Sequence, residues 1–482
     1  MPRDPQPKRR PSVAVIGGGP GGLLTAYHLE HVYRAPVDVT IFEAGDRTGG
    51  KVVTRSFSPS GAVYEAGAAE LYDYSALGPD PLRELIAELG LRTYPMDGGA
   101  VFVGDRLLAS EADVGKAFGA AAGEALAAFG RRARAAISPA EYYESDWRAD
   151  NDDPLCQQTF DALLSTVGND AGRHYIEAAV HSDVATEPRH TSAAYGLQNW
   201  LMNEPGYMRL YGIEGGLEQF PRALAARLSA RVRLNARVAR VTATADDRFR
   251  IDLADGSTAG PPFDYCVAAL PNYWLPAIEW AGPTLARAVA AHHAHYDHPA
   301  HYLRVTVLFR RPFWRDVVRG SYFMLDALGG CCVYDESPRC RDTPGAVGCL
   351  GWLIGGDAAV RLSNLDDRAL VALVLESLPA PLRHGRELVI DGRVHRWVGA
   401  VNGMPGGYPL REPDARHVPD PEHHPDFFVV GDYLFDSTLN GVVDSADCVA
   451  AWIAEEEADD GAAVGPATTP LAERPVAPVM AG

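Results

Sequence analysis

The spacing of apolar residues along the chain switches several times between strand-like and helical, and each switch predicts an element. Val13-Ala14-Val15-Ile16 is an unbroken apolar run of the length of a buried strand. Beyond a run of glycines, Leu23, Leu24, Tyr27 and Val32 return at helical spacing, which predicts a helix from near Gly22. Val37 to Phe42 predicts the next strand, ending on Glu43. Near residue 80 the character changes: Asp80-Pro81 opens a helix with Leu82, Leu85, Ile86 and Leu89 on one face, and Gly90 ends it. From about Ser110 to Leu210 the chain is alanine-rich and largely helical in pattern. Strand signals resume at Val232, Leu234, Val238 and Val241, and Phe249, Ile251 and Leu253 alternate into an Asp255-Gly256 turn. Cys266 to Leu270 is another buried run, stopped by Pro271. Residues 302–355 mix strands and loops, and Asn364 with Asp367 caps a helix through Leu378. A last strand, Phe427 to Val430, leads through Gly431-Asp432 to a helix from about Val443. No internal repeat is visible.

Composition narrows this picture. A chain of 482 residues is too long for one ordinary core, so two intertwined domains are expected. The net charge of −19, without a dense basic stripe, argues against a nucleic-acid partner. Apolar runs fall short of the roughly 18–20 residues that a membrane span needs. The basic stretch Pro7-Lys8-Arg9-Arg10 runs straight into the first strand, which reads as neither a secretory nor a twin-arginine signal. Cys156, Cys266, Cys331, Cys332, Cys340, Cys349 and Cys448 are odd in number and contain no CxxC pair, a pattern of reduced thiols in the cytoplasm. The first ten residues read as flexible. Glu455-Glu456-Glu457 opens an acidic stretch, and residues 456–482 read as a disordered acidic and Pro/Ala-rich tail.

The first chemistry lies in Gly17-Gly18-Gly19-Pro20-Gly21-Gly22, between a strand and a helix. In this context a GxGxxG pattern binds a dinucleotide. Gly17 permits the tight turn, Gly19 lets the backbone approach a pyrophosphate, and Gly22 lets helix and strand pack closely. The helix start offers free N–H groups to the phosphates. Glu43, 21 residues beyond Gly22, stands where a carboxylate can accept both ribose hydroxyls.

The continuation Glu43-Ala44-Gly45-Asp46-Arg47-Thr48-Gly49-Gly50-Lys51 resembles the flavin-containing amine oxidase superfamily, which includes monoamine, polyamine and L-amino-acid oxidases and tryptophan monooxygenase. The resemblance covers most of the chain. It implies an α/β architecture in which a Rossmann-like FAD-binding domain is interleaved with a substrate domain of mixed sheet and helices. The FAD-binding parts are expected at 11–76, 212–271 and 395–455. The substrate-binding parts are expected at 77–211, largely helical, and 272–394. Ala44 and Arg47 would flank the cofactor, and Lys51 stands where the family usually has a phosphate-binding arginine. Glu65-Ala66-Gly67-Ala68 resembles the turn along the flavin ring, with Gly67 and Ala68 facing it. Tyr211-Gly212-Ile213-Glu214-Gly215-Gly216-Leu217 resembles the re-entry into the FAD domain, and Ala269-Leu270-Pro271 the exit. Val238 matches a backbone contact to adenine. Val429-Val430-Gly431-Asp432 resembles the second FAD signature, with Asp432 at the ribityl chain. Gly441 to Ser445, including Val443, would bring a helix start to the flavin.

For the reaction, Arg304-Val305-Thr306-Val307-Leu308-Phe309-Arg310-Arg311-Pro312-Phe313-Trp314 resembles the segment that carries the family's flavin-side lysine. Arg304 stands at that lysine, and Lys8, Lys51 and Lys116 are the chain's only lysines. Two placements are open for Arg304: beside the flavin in the place of a bound water, or turned away to a surface carboxylate. Tyr408 is the candidate for one aromatic wall or a core residue, and Gly407 replaces the cysteine of covalent flavin linkage, which implies non-covalent FAD. Glu70 stands where L-amino-acid oxidases carry a carboxylate-binding arginine. It would bind a cationic substrate end or act as a base, or else be an ordinary surface carboxylate. His292, His293, His295, His298 and His301 crowd one stretch with no cysteine or acidic pattern nearby apart from Asp297, so no metal is expected. The leading expectation is dehydrogenation of a C–N bond of a small, amine-type substrate, with oxygen or another acceptor reoxidising the flavin. C–C desaturation or monooxygenation on the same scaffold is the alternative. A homodimer is left open.

Overall fold

The computed structural model describes residues 9–58, 60–144, 152–204, 206–339, 347–409, 411–435 and 437–459. The chain folds as two compact units. The first comprises 1–50, 220–297 and 412–482, and the second 51–219 and 298–411. Residues 51–76 and 395–411, grouped above with the FAD-binding parts, thus pack in the second unit, and 272–297 in the first. Cys340 and most of the C-terminal tail lie outside the described residues.

In the first unit, five strands form a sheet in the order Arg231–Arg233, Asp38–Phe42, Ser12–Ile16, Tyr265–Ala268, Phe427–Val429, with every pairing parallel. Val13, Ala14 and Val15 are fully buried, as a central parallel strand covered on both faces requires. The chain moves outward from Ser12–Ile16 in both directions. The turn after that strand therefore sits at the switch in strand order, where such sheets take their ligands.

The first helix is Pro20–Tyr27 rather than one from Gly22, because Pro20 at its first position already has the φ that a helix needs. Val32 falls beyond it in a π-helical turn and is exposed. The last helix begins at Leu439, four residues before Val443, because Thr438 Oγ1 accepts the Gly441 N–H at 3.1 Å and caps it. It continues to Asp459, past the start expected for the tail. The Tyr265 hydroxyl ties its end down by donating to Glu457 at 2.6 Å. At the other terminus, Arg9 is tied to Asp264 at 2.6 Å.

The second unit is built on a seven-stranded sheet in the order Val389–Asn402, Pro299–Phe309, Gly348–Gly355, Cys331–Asp335, Tyr322–Leu325, Ala100–Val103, Arg106–Leu108. Alternation sorts its side chains. Leu303, Val305, Val307, Cys331 and Val333 join Phe313, Trp314, Leu370 and Val374 in one core. Cys332 and Tyr334 face the opposite way, into a core with helices Ala120–Ala136, Asp170–Val184 and Ala193–Leu201. By the same period, Tyr302, Arg304 and Thr306 leave the first core. Asp366, not Asn364, caps the helix Asp367–Glu376, accepting the Ala369 N–H at 2.8 Å.

Candidate active site

The glycine turn in the first unit is fixed by close contacts. Gly17 has φ +111°, and a Cβ there would lie 2.3 Å from the Ala269 carbonyl oxygen. A Cβ on Gly22 would lie 2.0 Å from the Gly17 carbonyl oxygen. Gly19 is different: its φ is an ordinary −73°, and the atom nearest to a Cβ would be Gly50 Cα at 3.7 Å. Packing demands glycine at 17 and 22 but leaves room at 19. The segment after Glu43 closes on this turn, with the Gly49 N–H donating to the Gly18 carbonyl at 2.8 Å. Glu43 Oε2 accepts the Gly18 N–H at 2.8 Å, and Oε1 accepts the Gly45 N–H at 2.7 Å. Arg47 folds onto the carbonyls of Thr48 and Gly50 at 2.9 and 2.7 Å, and Ala44 is exposed. Val238 opens the strand Val238–Ala243, while Asp432 and Val443 are buried.

In the second unit, a Cβ on Gly67 would lie 1.9 Å from the Lys51 carbonyl oxygen, which also accepts the Ala68 N–H at 3.2 Å. Lys51 Nζ donates to the Ala400 carbonyl at 2.5 Å. Arg304 is fully buried, and its partner is neither a surface carboxylate nor solvent. Its Nη2 pairs with Glu336, which is also fully buried. Arg339 bridges Glu336, at 3.0 Å, and Glu65, at 3.1 Å. Glu65 in turn accepts the Leu217 N–H and the Thr54 hydroxyl, both at 2.8 Å. Two arginines and two glutamates thus cancel in charge where none could stand alone. Gly351 makes space for them: a Cβ there would lie 2.8 Å from Glu336 Oε1. Arg304 also reaches the Gly67 carbonyl at 3.5 Å, and its Nε is buried without a hydrogen-bond partner among the described residues.

Glu70 lies beside this network. The Tyr334 ring sits 5.1 Å from the Arg304 guanidinium carbon, and its hydroxyl donates to Glu70. Glu70 Oε2 is closed off from solvent and has no hydrogen-bond partner among the described residues. Burial raises the Glu70 carboxyl above the usual range, against the pull of Tyr334 and Arg304. Tyr408 is positioned separately. Its ring meets His298 edge-on at 4.8 Å, and the Gly407 N–H beside it donates to the Cys156 carbonyl. The other histidines also disperse. His292 bonds the Tyr433 hydroxyl at 3.0 Å, His293 the Asn272 carbonyl at 3.1 Å, and His301 accepts the Gly399 N–H at 3.1 Å. No group of three metal-ligating side chains is found among the described residues.

This arrangement has relatives. The profile of the family described as flavin containing amine oxidoreductase matches residues 20–454. The chain belongs to that family. A flavin-dependent L-tryptophan oxidase of Lentzea aerocolonigenes is 26% identical over 419 residues, 80% of each chain. A tryptophan 2-monooxygenase of Agrobacterium vitis is 49% identical over 65 residues, 13% of this chain but only 8% of that enzyme's length. Among solved structures, cyclohexylamine oxidase of Brevibacterium oxydans superposes with a TM-score of 0.68 at 20% identity, covering 93% of this chain and 99% of that one. At that identity the likeness establishes the fold. The chain is an FAD-dependent oxidoreductase with the amine-oxidase fold. No described helix is long and apolar enough to cross a membrane.

The first unit fits the pyrophosphate part of FAD. Gly19 keeps a space that packing does not require, no side chain caps the helix behind it, and Glu43 is braced by two backbone donors at the strand end.

Glu336, Arg339 and His395 lie on or beside the Arg304 network and had no motif to announce them. His395 pairs across the strands with Arg304, and its Nε2 lies 3.3 Å from the Tyr64 hydroxyl. Burial first, and then Arg304, push its pKa down to about 4. Glu336 and Arg339 stand three apart immediately after a run of apolar strand residues. That charge pair at the end of a buried strand was the available signal.

Proposed function

We propose that this family member dehydrogenates the C–N bond of an amine or amino-acid-derived substrate whose far end is positively charged. Glu70 carries the reading. One of its oxygens is closed off and has no hydrogen-bond partner among the described residues, and the family resemblance puts it where L-amino-acid oxidases bind a carboxylate with arginine. An acid there repels a carboxylate and attracts ammonium or guanidinium. FAD, when bound, supplies the acceptor for the two electrons and the hydrogen that leave the substrate carbon. The imine product then takes up water to give a carbonyl compound and ammonia.

The chain's own groups bind and orient. Gly17, Gly19 and Gly22 cradle the pyrophosphate, with Glu43, Ala44, Arg47 and Val238 at the adenosine end. In the same unit Asp432 and Val443 would follow along the cofactor; in the second unit Lys51, Gly67 and Ala68 are the positions that the family resemblance assigns to cofactor binding. Glu70 holds the substrate's charged end, and Tyr408 forms one aromatic wall. Gly407 leaves FAD without a covalent link. Seven cysteines, odd in number and without a CxxC pair, support a reducing compartment such as the cytoplasm.

Arg304 favours a second reading. A guanidinium does not give up its proton near neutral pH, and this one is committed to Glu336. Such a site lacks the lysine that the family uses beside the flavin, which leaves C–C desaturation or monooxygenation as the alternative chemistry. Anaerobic reduction of the yellow protein by a panel of amines, amino acids and guanidines separates the two. Dehydrogenation of a C–N bond bleaches the flavin and yields ammonia, whereas a desaturated product without ammonia overturns the first reading. Glu70→Gln is expected to raise KM for cationic substrates and leave neutral ones unchanged; an unchanged KM removes Glu70 from the site.

A further inference from the structure

Three of the crowded histidines, His292, His293 and His295, close the helix Pro283–His295 of the first unit. Two of them grip the chain where it leaves the carboxyl ends of parallel strands. His293 Nδ1 donates to the Asn272 carbonyl at 3.1 Å, and Asn272 Nδ2 donates back to the His293 carbonyl at 3.1 Å. This reciprocal pair fixes the segment just beyond Ala269, whose carbonyl bounds the Gly17 turn. His292 Nε2 lies 3.0 Å from the hydroxyl of Tyr433, just beyond the strand Phe427–Val429. His292 is 1% exposed and Tyr433 4%, so this bond forms away from water, where it is electrostatically stronger.

Gly431 shows what the Tyr433 ring holds. Its φ of 179° is extended backbone open to any residue, yet a Cβ there would lie 2.5 Å from Tyr433 Cε1. The ring lying on the backbone demands glycine; the turn's conformation does not. The Gly431 N–H donates to the buried Ser445 hydroxyl at 3.1 Å, and the Asp432 carbonyl accepts the Phe435 and Ser437 N–H groups, both at 3.1 Å. Tyr296 completes the cluster, its ring 4.8 Å from His292 and 5.2 Å from Tyr433. The turn so held adjoins the phosphate cradle. A Cβ on Gly21 would lie 3.1 Å from Val430 Cγ1 and 3.6 Å from Val442 Cγ1. Gly431 and Gly17 also leave parallel strands on the same edge of one sheet, the edge where such sheets take their ligands.

We infer that the His292–Tyr433 bond is a brace that holds the Gly431–Asp432 turn against FAD, beyond the pyrophosphate. Both are positioning residues: the tyrosine ring presses on Gly431, and the histidine keeps the ring from turning away. The histidine-rich stretch thus serves the cofactor through a tyrosine. All the parts of the brace lie in the first unit. Of the reading above it takes only that Asp432 faces the cofactor, and nothing of the reaction.

Tyr433→Phe removes the hydroxyl and keeps the ring, and His292→Phe removes the other partner. Flavin-depleted full-length protein is titrated with FAD and with ADP, which carries the adenosine and pyrophosphate alone. Each variant is expected to bind FAD about fivefold more weakly and ADP as the parent does. His292→Gln, which keeps a hydrogen-bonding nitrogen, is expected to lie between the parent and His292→Phe. The double variant is expected to be no worse than the weaker single one, because both remove the same bond. Amide exchange of the holoprotein is expected to quicken in peptides covering 430–435, while the strands Ser12–Ile16 and Asp38–Phe42 keep parental rates. Unchanged FAD affinity in Tyr433→Phe overturns the inference. So do additive losses in the double variant, and so does an equal loss of FAD and ADP affinity with faster exchange throughout the unit, the signature of general damage. None of these readouts involves an amine, so the dehydrogenase reading stands or falls on its own test.

Discussion

Arg304 and Glu336 illustrate how one residue's role is set by the charges around it. Arg304 reads in the sequence as a substituted catalytic lysine, and strand period alone turns it out of the Leu303–Val305–Val307 core. Its partner was not legible, because Glu336 lies 32 residues away in a segment without a motif. Breaking a buried pair leaves its other member uncompensated. Glu336→Gln is therefore expected to lower the unfolding free energy by about 3–5 kcal/mol, read from denaturant midpoints; a change below about 1 kcal/mol would show that the network carries no such strain. Asp183 behaves in the opposite sense. A carboxyl raised in the folded state, from the ordinary 3.8, binds more protons folded than unfolded. Stability then falls as pH rises above the unfolded value and through the folded one. Asp183→Asn is expected to raise the melting temperature at pH 8 and to leave it nearly unchanged at pH 4. An equal shift at both pH values contradicts the assignment.

At the scale of elements, what the sequence made legible was local. The run Val13–Ile16, the glycine turn and the strand ending on Glu43 sit where period and turn chemistry placed them. Helix starts were less legible, since the caps Gly19, Asp366 and Thr438 compete with neighbouring polar residues of equal promise. The turn itself separates packing from ligand binding. Gly22→Ala is expected to damage folding, because its Cβ would overlap the Gly17 carbonyl. Gly19→Ala has room and an ordinary φ, so it is expected to fold with parental circular dichroism but to retain FAD at least about tenfold less well. Undiminished flavin content in Gly19→Ala would mean that the pyrophosphate lies elsewhere.

At the scale of the whole molecule, the chain enters each compact unit more than once, passing between them after residues 50, 219, 297 and 411. The change of composition near residue 80 comes about 30 residues after the first of these passages. The short strands Thr54–Phe57 and Ala62–Glu65 flank Ser58-Pro59-Ser60-Gly61, a turn signal that marks a hairpin but not the unit it joins. Glu65 and Glu336 are 271 positions apart and share Arg339, a network that emerges only from the fold. The most direct test of the account is a single anaerobic turnover with a primary alkylamine bearing a guanidinium tail, counting ammonia against flavin bleached. One ammonia per flavin, with a neutral-tailed amine of equal length reacting far more slowly, is the predicted result. Bleaching without ammonia, or equal rates for the two amines, would contradict it.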